Sequence, residues 1–83
     1  MSLKLIARAN GIEKIMEKFK EEAKELLDGY HEMDETNIKE EVVDVMIMCE
    51  QIIEHYGFTE TSLEDIREFK INRTKERLGI KNE

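Results

Sequence analysis

Val42-Val43-Asp44-Val45-Met46-Ile47-Met48-Cys49 is apolar at seven of its eight positions and carries a single carboxylate in its midst. No glycine or proline interrupts it, so the stretch reads as the centre of a helix that is apolar on nearly every side. Such a helix is buried on nearly every side. Its lone acid is therefore the anomaly, because a buried carboxylate must be protonated, paired or bound to a cation.

The rest of the third helix follows from this centre. Asn37 opens it, with Glu40 three residues on in capping-box spacing, and its stripe runs through Ile38, Val42, Val45, Cys49, Ile52 and Tyr56 to a stop at Gly57. Upstream, Ile12, Ile15, Met16, Phe19, Ala23 and Leu26 recur at helical steps. They predict a second helix over 12–27, ended at Asp28-Gly29 by a left-handed glycine cap. A short first helix over 3–9 breaks at Asn10-Gly11. Downstream, Thr61 or Ser62 opens a fourth helix, with Ser62 and Asp65 again spaced as a capping box. Ile66, Phe69 and Leu78 give its apolar side, and Gly79 closes it. The fold class expected is all-α: one domain over 1–83, a bundle of three to four helices, with 1–11 a short leader helix and turn.

A chain of 83 residues buries only about 60–65% of its unfolded surface, too little to enclose so apolar a helix. Val43, Met46 and Ile47 lie opposite the Val42–Val45–Cys49 stripe and are the expected contact with another subunit. The bundle is thus expected to be completed by homo-oligomerisation. The single cysteine, Cys49, cannot form an intrachain disulfide and is read as a small core hydrophobe in a reducing compartment. The longest uncharged apolar run, Val45–Cys49, is too short to span a bilayer, so a cytoplasmic protein with no membrane partner is expected. A net charge of −7 argues against nucleic acid as a partner, since its backbone needs a basic face.

Two acidic pairs carry the chemistry. Glu41 stands one turn before Asp44 and, at 100° per residue, only about 40° from Val45. On the second helix Glu22 lies between Phe19 and Leu26 in the stepping pattern, with Glu25 three residues beyond. Each helix thus carries a carboxylate pair along one flank of its core-facing side. Four converging carboxylates need a counter-ion, and oxygen-only ligation favours Mg²⁺ or Mn²⁺ over Zn²⁺. Glu22, Glu25, Glu41 and Asp44 are therefore the candidate metal ligands and catalytic residues. Glu21 and Glu40 turn away from the stripes, and Glu50 faces away from the metal flank. On the fourth helix Lys70, Arg73 and Arg77 share one face, suited to phosphate contacts, or else to ion pairs with the acids of the same helix.

Glu21-Glu22-Ala23-Lys24-Glu25-Leu26 and Glu40-Glu41-Val42-Val43-Asp44-Val45, about twenty residues apart, resemble the paired signature of MazG-type nucleotide pyrophosphohydrolases, an all-α group. Lys70-Ile71-Asn72-Arg73, with Arg77 a turn later, resembles the basic segment that follows in short members, and the likeness covers about residues 12–78. The resemblance implies hydrolysis of a nucleoside triphosphate to the monophosphate and pyrophosphate, as in clearing nucleotide pools. It implies Mg²⁺ on Glu22, Glu25, Glu41 and Asp44, phosphate contacts from Lys70 and Arg73, and a homodimer or homotetramer. The alternative is a non-catalytic helical oligomerisation or nucleotide-binding module.

Overall fold

The computed structural model describes residues 3–80, which form four α-helices: α1 Leu3–Asn10, α2 Ile12–His31, α3 Glu35–Tyr56 and α4 Glu60–Leu78. Local chemistry fixes where α3 and α4 begin. The Asp34 carboxylate accepts from the Asn37 amide at 3.1 Å, and the Thr59 hydroxyl from the Ser62 amide at 3.2 Å. Both satisfy an amide that has no partner within its helix. The expected starts at Asn37 and at Thr61 or Ser62 are thus corrected: each cap lies two or three residues earlier, on a residue not assigned that role.

Gly29 is a second correction. It does not end α2 but lies buried inside it, and the chain turns only at Glu32-Met33-Asp34. The Asp34 amide donates to the Gly29 carbonyl at 3.0 Å, and Met33 takes the left-handed conformation, φ 58°. A Cβ on Gly29 would stand 2.9 Å from Asn37 Nδ2 and 3.4 Å from Ile38 Cγ1. The glycine therefore serves close approach of α3 across the turn, not a change of backbone hand. Gly57 does act as expected: at φ 69° it caps α3, and the amides of Gly57 and Phe58 both return to the Ile53 carbonyl.

Packing is confined to α1, α2 and α3, with α2 and α3 forming an antiparallel hairpin and α1 lying against both. Among the described residues Ile15 and Met48 are the buried apolar side chains, with Phe19 and Ile52 packed on them. The α1 end is tied in where Asn10 Nδ2 donates to Gln51 Oε1 at 3.4 Å. On α3 the buried line runs Glu41, Met48, Gln51, with Asp44, Val45 and Ile52 half-buried. The expected inward stripe is thus rotated: Val42, Cys49 and Tyr56 are exposed, and Cys49 is not a core residue. The rotation follows from polar side chains, Glu41 and Gln51, occupying the inner line that an apolar-only reading passes over.

Of the three to four helices expected in the bundle, three pack together. α4 touches none of them, and its Ile66, Phe69 and Leu78 are exposed. The radius of gyration, 15.7 Å, exceeds the value of about 12 Å for a compact chain of this length. No helix among the described residues is long and apolar enough to cross a membrane.

Two substitutions at the α2–α3 turn should move stability in opposite directions in thermal melts. Asp34→Ala removes the cap and should cost about 1 kcal/mol. Met33→Asn suits the left-handed backbone better and should gain under about 1 kcal/mol.

Candidate metal centre

The antiparallel hairpin places the middle of α2 beside the first turns of α3. Glu22 and Glu41 therefore meet inside the only extensive helix–helix interface among the described residues, where they are 6% and 8% exposed. Asp44, one turn on from Glu41, joins them. One carboxylate oxygen from each of Glu22, Glu41 and Asp44 lies within 4.8 Å of the others. Asp44 is the most accessible of the three, so the cluster opens toward solvent on that side.

Charge balance within this cluster is incomplete. Lys18, one turn back on α2, reaches Glu22 Oε1 at 3.1 Å. Glu22 Oε2 and Glu41 Oε2 are buried with no hydrogen-bond partner. Two ionised carboxylates offer only acceptors, so they can satisfy neither each other nor themselves. A proton or a cation between them relieves both. Without a cation the proton falls to Glu41. Its hydrogen bond to Glu22 raises its pKa from 4.5 to about 7, and burial and the nearby Glu25 charge push the same way. Glu22 moves down, held ionised by the bond from Glu41 and by Lys18.

Of the four acids expected to converge, the structure brings three together, Glu22, Glu41 and Asp44. Glu25 is half-buried and close enough for its charge to act on Glu41, but it is outside the group whose oxygens converge. Glu21, Glu40 and Glu50 are exposed, as their positions off the inner line require. Lys70, Arg73 and Arg77 are not brought to the cluster within one chain, because α4 packs on none of the other helices. Arg73 instead lies over the Phe69 ring, 5.6 Å from its centroid.

Two residues escaped the sequence reading, Lys18 at the site and Gln51 farther along the inner line of α3. Lys18 stands four residues before Glu22, a spacing that places an ammonium on the same face. Gln51 stands seven residues after Asp44 on the inner line of α3 and is 4% exposed. An amide at that step in an otherwise apolar helix was the available signal for the rotated stripe.

Three hard oxygen donors, two of them with orphaned buried atoms, form a set that fits a divalent cation. No protein-family model, curated protein or solved structure matches the chain. The reading of this site thus stands on its geometry and charge.

A carboxyl whose folded pKa lies above its unfolded value keeps a proton that the unfolded chain has already released. Glu41 therefore lowers stability as pH rises from its ordinary 4.5 to about 7, while the lowered Glu22 acts only below 4.5 and with the opposite sign. Glu41→Gln removes the slope. In EDTA its Tm should exceed the parent's at about pH 8 and match it at about pH 5. Added Mg²⁺ or Mn²⁺ should reverse the order at the higher pH; identical Tm curves throughout would contradict the shared-proton arrangement.

Proposed function

We propose that the chain is a Mg²⁺-dependent nucleoside triphosphate pyrophosphohydrolase of the MazG type. The observation that carries this reading is the convergence of Glu22, Glu41 and Asp44 with two buried, unpartnered oxygens between them. A site so rich in uncompensated negative charge suits a cation that in turn accepts a polyphosphate, and it suits the acidic-pair signature on the two helices.

Glu22, Glu41 and Asp44 would hold the Mg²⁺, with Glu25 flanking them, and Mn²⁺ would serve equally as a hard cation. Such an ion supplies Lewis acidity at a phosphoryl oxygen and offsets charge between carboxylates and substrate. The chain's own part is positioning. Asp44 lies at the open side, where a phosphate can approach, and the hairpin fixes the spacing of Glu22 and Glu41. Lys70, Arg73 and Arg77 would hold the remaining anionic oxygens, the arginines through two parallel N–H groups. Water adds across the α–β anhydride, giving a monophosphate and pyrophosphate. No covalent enzyme intermediate is required, so the rate would come from orientation and charge stabilisation.

A second reading, a non-catalytic helical oligomerisation or nucleotide-binding module, draws support from the exposed apolar surface of α3 and α4. A panel of NTPs and dNTPs, incubated with Mg²⁺ or EDTA, separates the two. Mg²⁺-dependent pyrophosphate release that disappears in Glu41→Gln and Asp44→Asn is the expected outcome. Thermal stabilisation by Mg²⁺ and nucleotide without product would favour the binding module. A chain stabilised by neither, and made more stable by Asp44→Leu, would overturn the site.

A further inference from the structure

Lys18 is the one cation, among the described residues, paired with a carboxylate of the cluster. Its Nζ lies 3.1 Å from Glu22 Oε1 and 3.8 Å from Glu21 Oε2. The two ends of the tighter pair differ in kind: the Glu22 side chain is 8% exposed and the Lys18 side chain 52%. The carboxylate is fixed in the interface, and the ammonium reaches it from solvent on a flexible stem.

Helix stability does not account for this pairing. A lysine four residues before a glutamate is the weaker of the two orders for an ion pair along a helix. Lys18 also stands in the first half of α2, far from the last turn, where a cation meets the helix dipole. Its place relative to the site is more telling. Glu22 meets Glu41 in an antiparallel hairpin, so one turn back along α2 corresponds to one turn on along α3. Lys18 thus stands level with Asp44 and Val45, about 6 Å from Glu22 along the axis. Lys18 lies about 40° behind Glu22, and Asp44 about 60° behind Glu41, in the sense of the helix turn. In antiparallel partners such steps fall on the same flank of the interface, here the open side on which Asp44 is accessible.

Charge completes the case. Three ionised carboxylates and one divalent cation leave the cluster negative, and a phosphate chain adds more negative charge. Lys70, Arg73 and Arg77 sit on a helix that packs on none of the others, whereas Lys18 is already in place. A divalent cation among Glu22, Glu41 and Asp44 weakens the hold of Glu22 on the ammonium, since both positive charges draw on one carboxylate. The freed tip has three N–H donors and needs only rotations of its own stem to meet an anion on the open side.

We propose that Lys18 is a phosphate-binding residue of this site. It holds Glu22 while the cluster is without a cation, and turns to a phosphate oxygen when metal and polyphosphate bind. The assignment rests on the metal site and the polyphosphate substrate proposed above.

Two binding measurements, neither requiring turnover, test it. Mn²⁺ binding is followed by the electron paramagnetic resonance of the free ion. Inorganic tripolyphosphate binding is followed by equilibrium dialysis with Mn²⁺ in excess. Lys18→Met and Lys18→Gln both remove the charge at an exposed helix position, and circular dichroism checks their helicity. Each should bind Mn²⁺ about threefold more tightly, having lost a competing cation. Each should bind tripolyphosphate about tenfold more weakly, and Lys18→Arg should restore most of that affinity. The opposite signs are the signature, because a merely structural lysine would weaken both when removed. Equal tripolyphosphate affinity in the parent and the neutral variants, at full Mn²⁺ occupancy, overturns the role of Lys18 and leaves the metal site standing. Weaker binding of both ligands by the neutral variants also overturns it. A parent chain that binds no Mn²⁺, or binds Mn²⁺ but no tripolyphosphate, would refute the function proposed above and this assignment with it.

Discussion

Glu22 and Glu41 are pressed together in the α2–α3 interface, the most extensive among the described helices. Neither carboxylate can leave without opening α2 from α3, and neither can be satisfied by the other while both are charged. Everything around them follows from that conflict: Lys18 leaning onto one oxygen, the proton held by Glu41, and the approach of Asp44 from the open side. A structure selected for stability alone would place a leucine at either position. The acids persist in the packing line at the expense of core, and that cost is intelligible if a cation completes them.

The scarcity of core is the complementary fact. Buried positions that an ordinary helical hairpin fills with hydrocarbon are here occupied by Glu22, Glu41 and Gln51, leaving Ile15 and Met48 as the enclosed apolar side chains. Among the described residues sixteen large apolar side chains are exposed, the reverse of what a filled hydrocarbon core would leave. The acidic site and the exposed apolar surface thus have one origin, because polar groups inside push apolar groups outside.

The helices and the acid pairs were legible in the sequence because they are local. Apolar spacing marks α2 and α3, and Glu22 and Glu41 stand within the stepping pattern itself. Four things were not legible. Asp34 and Asn37 both suit a helix start, and only the turn geometry decides between them. Gly29 looks like a terminator by type, yet its role depends on Asn37 and Ile38 across the turn. The inward face of α3 was misassigned by one helical step, since two apolar stripes compete there and the true one contains Glu41 and Gln51. The splaying of α4 is a tertiary property, invisible to any pattern within the helix.

Gly29 also sets a tolerance for the whole hairpin. It sits at the closed end, and Glu22 lies seven residues farther along α2, about 10 Å at helical rise. The two helices act as the arms of a pair of tweezers pivoting near that glycine. A side chain there would be a shim under the pivot, and the gap it opened would widen with distance along the arms. The spacing of the carboxylates is therefore gauged by an atom that is absent, a missing Cβ two turns away from the chemistry it governs.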